Sequence, residues 1–280
     1  MRTGVTTSLY FLPGTRTADL ERIKAHGYDC VDYDLCDTTD AIYHLPEEQF
    51  AAAMKAERQK IEAAGLKVSQ VHGPWPTDDT TSESRAEKYI FMQRAVGATA
   101  LLGCPYMVVH PVMPYGWSKE TDADTAQKMN EEFFAKLCDY AAGYGVGICV
   151  ENMPMTAHRI SPINRIVQLV KAVNKPNFFI CLDTGHCNEL KDDCGEAVRK
   201  SGKYLKVLHV HDNCGRRDSH LIPYCGTIQW EHFTDALKEI GFDGVLSIET
   251  KVRRDFPGEM REYMLTGLAA IARALAAQSE

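Results

Sequence analysis

The 280-residue chain lacks any apolar run near the roughly 20 residues that span a bilayer. Its N-terminus, MRTGVTTSLYFLPG, holds one early arginine and no apolar stretch long enough for a secretory signal. Together these absences predict a cytoplasmic protein that does not engage a membrane. Ten cysteines are present, but dispersed and without a CxxC pair, so reduced thiols are expected rather than a disulfide framework. Cys149 and Cys181 fall inside apolar runs and read as small core residues. A P-loop and a dinucleotide fingerprint are both missing. GYGVG at 143–147 leads into a strand rather than out of one, so it is a helix stop, and no nucleotide cofactor is expected. Positive charge is also short, with 31 Lys and Arg against 38 Asp and Glu and a net charge of -7. Such a balance repels a phosphate backbone and counts against nucleic acid. The acidic segment GPWPTDDTTSESR adds to that effect.

What is present is a regular alternation. Apolar, β-rich runs are expected as strands at 4–10, 28–35, 67–72, 106–110, 147–151, 178–183, 205–211 and 245–249. Helical patterns follow them at about 17–26, 46–64, 84–102, 124–144, 162–173, 194–200, 231–240 and 259–276. Gly65, Gly103, Gly145 and Gly241 serve as stops. The strands are continuous apolar runs, as parallel strands covered by helices require. Eight strand–helix units without a linker predict one α/β domain over 1–280, a (β/α)8 TIM barrel. A doubly wound open sheet is the competing architecture.

Several strands end in a residue that can bind a metal or move a proton. These are His72 in VHGPW, His110 in VVHP, Glu151 in VENMP, Asp183 in CLDTGH, His209 and His211 in VLHVHDN, and Glu249 in LSIET, with His186 just beyond Asp183. In a barrel those ends converge on one face. A single such residue has an ordinary explanation as a helix cap or loop anchor. Carboxylates closing several consecutive apolar runs do not, because buried carboxylates repel one another unless a cation or protons intervene. Glu151, Asp183, His209 and Glu249 are therefore the expected ligands of one divalent ion, Mn, Co, Mg or Zn. His211 reads equally well as a functional residue or as a structural one. His26, His44, His158 and His232 fall in helices or loops and read as surface residues. Trp75, Tyr115 and Trp117 read either as the wall of a sugar pocket or as cover for the core. Arg216 and Arg217 are candidates for holding a substrate oxygen.

The segments VENMP, CLDTGH, LHVHDN, RRDSHLIPYCGTIQW and GFDGVLSIET resemble the xylose isomerase-like TIM barrel superfamily. It includes sugar phosphate isomerases/epimerases, ketose 3-epimerases, hydroxypyruvate isomerases, inosose dehydratases and endonuclease IV-type (AP endonuclease family 2-like) enzymes. The likeness runs over nearly the whole chain. It implies that Glu151, Asp183, His209 and Glu249 take the four ligand places and that His186 helps hold substrate. In the His-x-x-Asp pattern, His209 and Asp212 occupy the His and Asp places, while His211 stands where many relatives have Lys. Trp117, His211, Arg216 and Arg217 complete the expected substrate contacts. The additional ligand places of three-zinc endonucleases are filled by His72, His110, His186, Asp218 and His220, although the D-S-H spacing is shorter than those enzymes suggest. The resemblance implies a metal-dependent isomerase or epimerase of a small sugar, working by proton transfer through an enediolate between Glu151 and Glu249. The alternatives are an inosose dehydratase-like lyase, an endonuclease IV-type zinc phosphodiesterase, and a barrel that only binds metal or sugar. A homodimer or tetramer is left open.

Overall fold

The computed structural model describes residues 1–280. Its strands are β1 (Arg2–Thr6), β2 (Cys30–Asp34), β3 (Lys67–His72), β4 (Tyr106–Val109), β5 (Gly147–Glu151), β6 (Phe178–Asp183), β7 (Leu205–His209) and β8 (Val245–Ile248). The helices are α1 (Leu20–Ala25), α2 (Glu47–Ala63), α3 (Ser82–Leu101), α4 (Ala123–Ala142), α5 (Ile163–Val173), α6 (Thr184–Glu189), α7 (Cys194–Ser201), α8 (Trp230–Glu239) and α9 (Gly258–Gln278). The strands run in the order β7-β6-β5-β4-β3-β2-β1-β8, and each neighbouring pair is parallel. Just beyond β7 the ring closes on β8. Val210 N donates to Ser247 O at 2.8 Å and Glu249 N donates to Val210 O at 3.1 Å. This is the closed (β/α)8 barrel that the alternation predicts, and the open doubly wound sheet is excluded. No helix is long and apolar enough to cross a membrane.

Local chemistry sets the element ends. Asp19, Thr81, Asp122, Asp183 and Asp193 each accept a backbone N–H from the first turn of the helix they precede. Gly65 and Gly241 turn the chain out of α2 and α8 with φ of 73° and 63°, a region costly for any residue with a Cβ. Two expectations change. Residues 7–10 coil into a 3-10 turn, so β1 stops at Thr6. Residues 184–189, which carry no apolar periodicity, form α6 because the Asp183 side chain caps them.

Alternation along each strand builds two different surfaces. Outward-facing Met107, Val109, Ile148, Val150, Ile180, Leu182, Leu208, Val210, Leu246 and Ile248 join the main core. Against it α5 buries Ile163, Ile166, Val167, Leu169 and Val170, a helical stripe. Burying each such side chain contributes about 1.5–3 kcal/mol. Inward-facing Val108, Cys149, Cys181 and Val207 form a separate small cluster across the barrel interior. One pleat further along the same inward face stand His110, Glu151, Asp183 and His209. The core of the barrel is thus a plug on which the polar residues rest.

Candidate metal centre and active site

The strand pairing sets the first contacts. Asp183 lies beside His209 across β6 and β7, and Asp34 lies beside His72 across β2 and β3. Around Glu151, which is 1% exposed, three imidazoles gather. His209 Nδ1 is 3.1 Å from Oε1, His110 Nε2 is 2.9 Å from Oε2, and His72 Nε2 is 3.8 Å from Oε2. Glu249 Oε2 is 3.4 Å from the same His209 Nδ1. Thus Glu151, His209 and Glu249 share one locus, with His72 and His110 on its flank.

Asp183 belongs to a second locus next to it. Its Oδ2 is 3.0 Å from His211 Nε2, while its Oδ1 caps α6 by accepting His186 N at 2.7 Å. The ordinary capping role and a ligand role therefore coexist in one carboxylate. His186 Nδ1 is 3.6 Å from both Glu151 and Asp183 and joins the two loci. Asp218 continues the chain of groups, with His220 at 2.9 Å, His211 at 3.6 Å and His186 Nε2 at 3.7 Å. The ten carboxylates and imidazoles expected to ligate or to hold substrate at this end are brought together; Arg216 and Arg217 are not. Both arginines are exposed and absent from the cavity wall, because the loop after β7 turns them outward.

Several imidazoles are held by one nitrogen and present the other. Nδ1 of His186 is 2.7 Å from Asn152 O, Nδ1 of His220 is 2.7 Å from Glu249 O, and Nδ1 of His72 is 3.0 Å from Gly73 O. Each carbonyl requires N–H at Nδ1, which leaves Nε2 free as a lone-pair donor, the usual arrangement of metal-binding histidines. Asn152 also clamps the Asp183 backbone, accepting its N–H at 2.8 Å and donating to its C=O at 3.0 Å.

Burying so many charges is costly unless they compensate one another. For Glu151, burial pushes the carboxyl up, but His209 and His110 override it and hold it well below its usual range. For His186, burial pushes the imidazole down, yet Asp183 above all, with Asp218 and Glu151, raises it to about 10. Burial likewise opposes His209, and Cys181, Glu249 and Glu151 carry it well above its ordinary value. The protein alone balances these carboxylates with protons on the imidazoles, positions that a cation could take over. Even so, Glu151 Oε2, His110 Nδ1 and Nε2, His209 Nε2 and Asp218 Oδ1 are buried without an aligned hydrogen-bond partner.

A cavity of about 620 Å³ opens above these groups. A hollow of about 670 Å³ at the other end of the barrel is lined by Arg2, Lys67 and Lys206 and holds none of the strand-end ligands. One wall of the upper cavity carries Trp75 and Trp117, edge-on at 5.7 Å, with Trp75 edge-on to His110 at 4.3 Å. Trp75 and Trp117 thus line the cavity, whereas Tyr115 lies off the wall. His211, fully buried, sits below the cavity and stacks on His220 at 4.0 Å. His158, read from sequence as a surface residue, is buried and lines the cavity. His26 is also buried, between Tyr10 Oη at 2.6 Å and Glu262 at 2.7 Å, far from the site in a structural role. His44 and His232 are exposed, as expected. Glu189, Lys251 and Met153 also line the cavity, and nothing in a loop sequence signals such a path.

Gly185 of the CLDTGH segment shows how tightly this floor is packed. A Cβ there would lie 1.9 Å from His211 Cε1. Gly185→Ala is expected to dislodge the ring from Asp183 and to destabilise the protein by about 1–3 kcal/mol. A thermal melt reads this as a midpoint several degrees lower; an unchanged midpoint would contradict the packing described.

The comparisons with known proteins agree with the barrel fold. A chain of Methanocaldococcus jannaschii, the uncharacterized protein MJ1311, is 29% identical over 266 residues, covering 91% of this chain and 85% of its own. The D-psicose 3-epimerase of Ruminiclostridium cellulolyticum is 30% identical over 141 residues, 50% of this chain and 46% of the epimerase. Among solved structures, the IOLI protein with a bound zinc atom superposes with a TM-score of 0.78 at 19% identity, covering 100% of this chain and 98% of that one. The family model described as xylose isomerase-like TIM barrel matches residues 20–274. From its closed barrel and from this match, the chain belongs to the xylose isomerase-like TIM barrel family.

Proposed function

We propose that the chain is a metal-dependent isomerase or epimerase of a small, unphosphorylated sugar or sugar derivative. The observation that carries this is the set of buried carboxylate and imidazole atoms at the barrel mouth that lack aligned partners. Buried polar atoms are nearly always satisfied, and oxygen and imidazole donors in this mixture suit Mn, Co, Mg or Zn. Glu151, Asp183, His209 and Glu249 would hold the ion. A divalent cation, when bound, polarises neighbouring carbonyl and hydroxyl oxygens and so acidifies the C–H beside the carbonyl.

Glu151 on β5 and Glu249 after β8 would face the sugar from opposite sides. One takes the proton from the carbon beside the carbonyl, giving an enediolate, and the other returns it. Return to the neighbouring carbon interconverts aldose and ketose; return to the opposite face of the same carbon epimerises. His186 would hold a substrate oxygen, and Trp75 and Trp117 offer an apolar wall for the C–H face of a sugar. Lys251 is the one Lys or Arg on the cavity wall, facing Glu151, Glu189, Asp218 and Glu249. That balance disfavours a phosphate group. The psicose epimerase among the relatives and the zinc atom of the IOLI protein support the reading.

A second reading, a zinc phosphodiesterase with three ions, is favoured by the group His211, Asp218 and His220, whose donor atoms lie within 4.8 Å of one another. Metal content separates the two. Elemental analysis of protein purified without added metal is expected to find one divalent ion per chain, lost in His209→Ala. Close to three zinc ions would bring the phosphodiesterase forward. No metal, even after reconstitution, would overturn both.

A further inference from the structure

We propose that Asp32, seated by Gln70, is the positioning residue that fixes the proton and orientation of His209, so that Nδ1 faces the carboxylates. This rests on the reading of His209 as a metal ligand. Asp32 lies on β2 in the barrel interior and is 1% exposed. It interrupts an apolar run, CVDYDL, where an unpaired carboxylate would be costly to bury. Its Oδ2 lies 3.0 Å from His209 Nε2. The same oxygen accepts Gln70 Nε2 at 3.1 Å, and that amide also donates to Leu208 O at 3.2 Å, one residue before His209. Asp32 is thereby tied to the strand whose histidine it faces.

The opposite nitrogen of the ring, Nδ1, is 3.1 Å from Glu151 and 3.4 Å from Glu249. An imidazole that coordinates through Nδ1 carries its proton on Nε2. In the barrel interior that proton needs an acceptor, and Asp32 is the acceptor within reach. His72 and His220 are held through Nδ1 by backbone carbonyls and present Nε2, so His209 is wired the other way round, with a carboxylate in place of a carbonyl. A carboxylate behind a ligand histidine fixes the tautomer and raises the basicity of the coordinating nitrogen. The 3.0 Å approach lies off the N–H axis, and both His209 Nε2 and Asp32 Oδ1 lack an aligned partner. His72 stacks on the His209 ring at 5.2 Å with a 7° interplanar angle. A small rotation of the ring would bring Nε2–H into line with Asp32, as hydrogen bonds at a site often tighten only when it is loaded.

The test is a Co²⁺ titration of chelator-stripped protein, followed by its visible absorption, on wild type, Asp32→Asn, Gln70→Met and His209→Ala. Asp32→Asn keeps the shape but removes the charge and is expected to weaken Co²⁺ binding about 10–100-fold, with shifted visible bands. The thermal midpoint of the stripped protein should stay close to wild type. Gln70→Met leaves the charge but removes its anchor, and a smaller loss of affinity is expected; it decides the matter should Asp32→Asn not fold. If His209→Ala binds Co²⁺ as wild type does, the ligand reading of His209 fails, and with it this inference. If His209→Ala loses binding while Asp32→Asn and Gln70→Met match wild type in affinity and spectrum, the ligand reading stands and the role of Asp32 is overturned.

Discussion

Glu151→Gln and Glu249→Gln are each expected to lower turnover by about 10²–10⁴-fold, the range of a positioned acid or base. Glutamine keeps the size of the side chain but cannot accept a proton from carbon. At position 151 its amide would also turn a donor toward His110 or His209, which lie 2.9 and 3.1 Å from the present oxygens. Weaker metal binding is therefore expected alongside the lost proton transfer, and the two effects can be separated. Incorporation of solvent deuterium into candidate ketoses measures proton transfer, and elemental analysis of the same samples measures bound metal. A variant that retains its ion and exchanges no deuterium identifies the carboxylate as the base. Wild-type exchange rates in both variants would sink the assignment of Glu151 and Glu249.

Asp212→Ala is expected to have the largest effect on stability, although Asp212 touches no sugar in this reading. The carboxylate is fully buried and collects four N–H donors, three from the loop after β7 and one from Trp230 at the start of α8. Oδ1 accepts Asn213 N at 2.8 Å, Thr227 N at 3.1 Å and Ile228 N at 3.3 Å, and Oδ2 accepts Trp230 Nε1 at 3.1 Å. Gly226 permits the approach, since a Cβ there would stand 2.2 Å from Asp212 Oδ1. Each buried donor left without a partner costs about 1–3 kcal/mol, so the loss is about 4 kcal/mol or more. For a chain of this size that lowers the thermal midpoint by about 8 °C or more. The same loop carries Asp218 and His220, so bound metal should fall with the midpoint. A midpoint within about 2 °C of wild type would show that Asp212 does not pin the loop.

Asp212 also marks a boundary of what can be read from residues. The His-x-x-Asp pattern placed it beside a ligand, but the pattern cannot say whether the carboxylate meets a cation or a loop backbone. Asp32 was legible in principle. Its place in the apolar run CVDYDL was a usable signal, because a charge that deep requires a partner. His158 gave no such signal; its burial depends on how residues 153–161 fold back, with Met153 N donating to Ser161 O at 3.1 Å. Arg216 and Arg217 lie close to β7 in sequence, but the turn at Gly215, with φ of 65°, carries them outward.

By itself the sequence determined the eight parallel strands, their covering helices, and the residue types that stand at the strand ends. Those follow from local periodicity, caps and stops, and from the rule that parallel strands of a barrel end on one face. Only the tertiary structure decided which groups meet. The register shifts at Val31/Asp32 and Ile180/Cys181 set the height at which Asp32 and Asp183 enter the barrel. Loop paths then brought Asp218, His220 and His158 to the mouth and left the arginines outside. Strand assignment depends on neighbours a few residues apart, whereas the pairing of Glu151 with His209, and of Asp183 with His211, joins residues 58 and 28 positions apart. Contacts of that kind are fixed by closure of the whole ring, and no short stretch of sequence contains them.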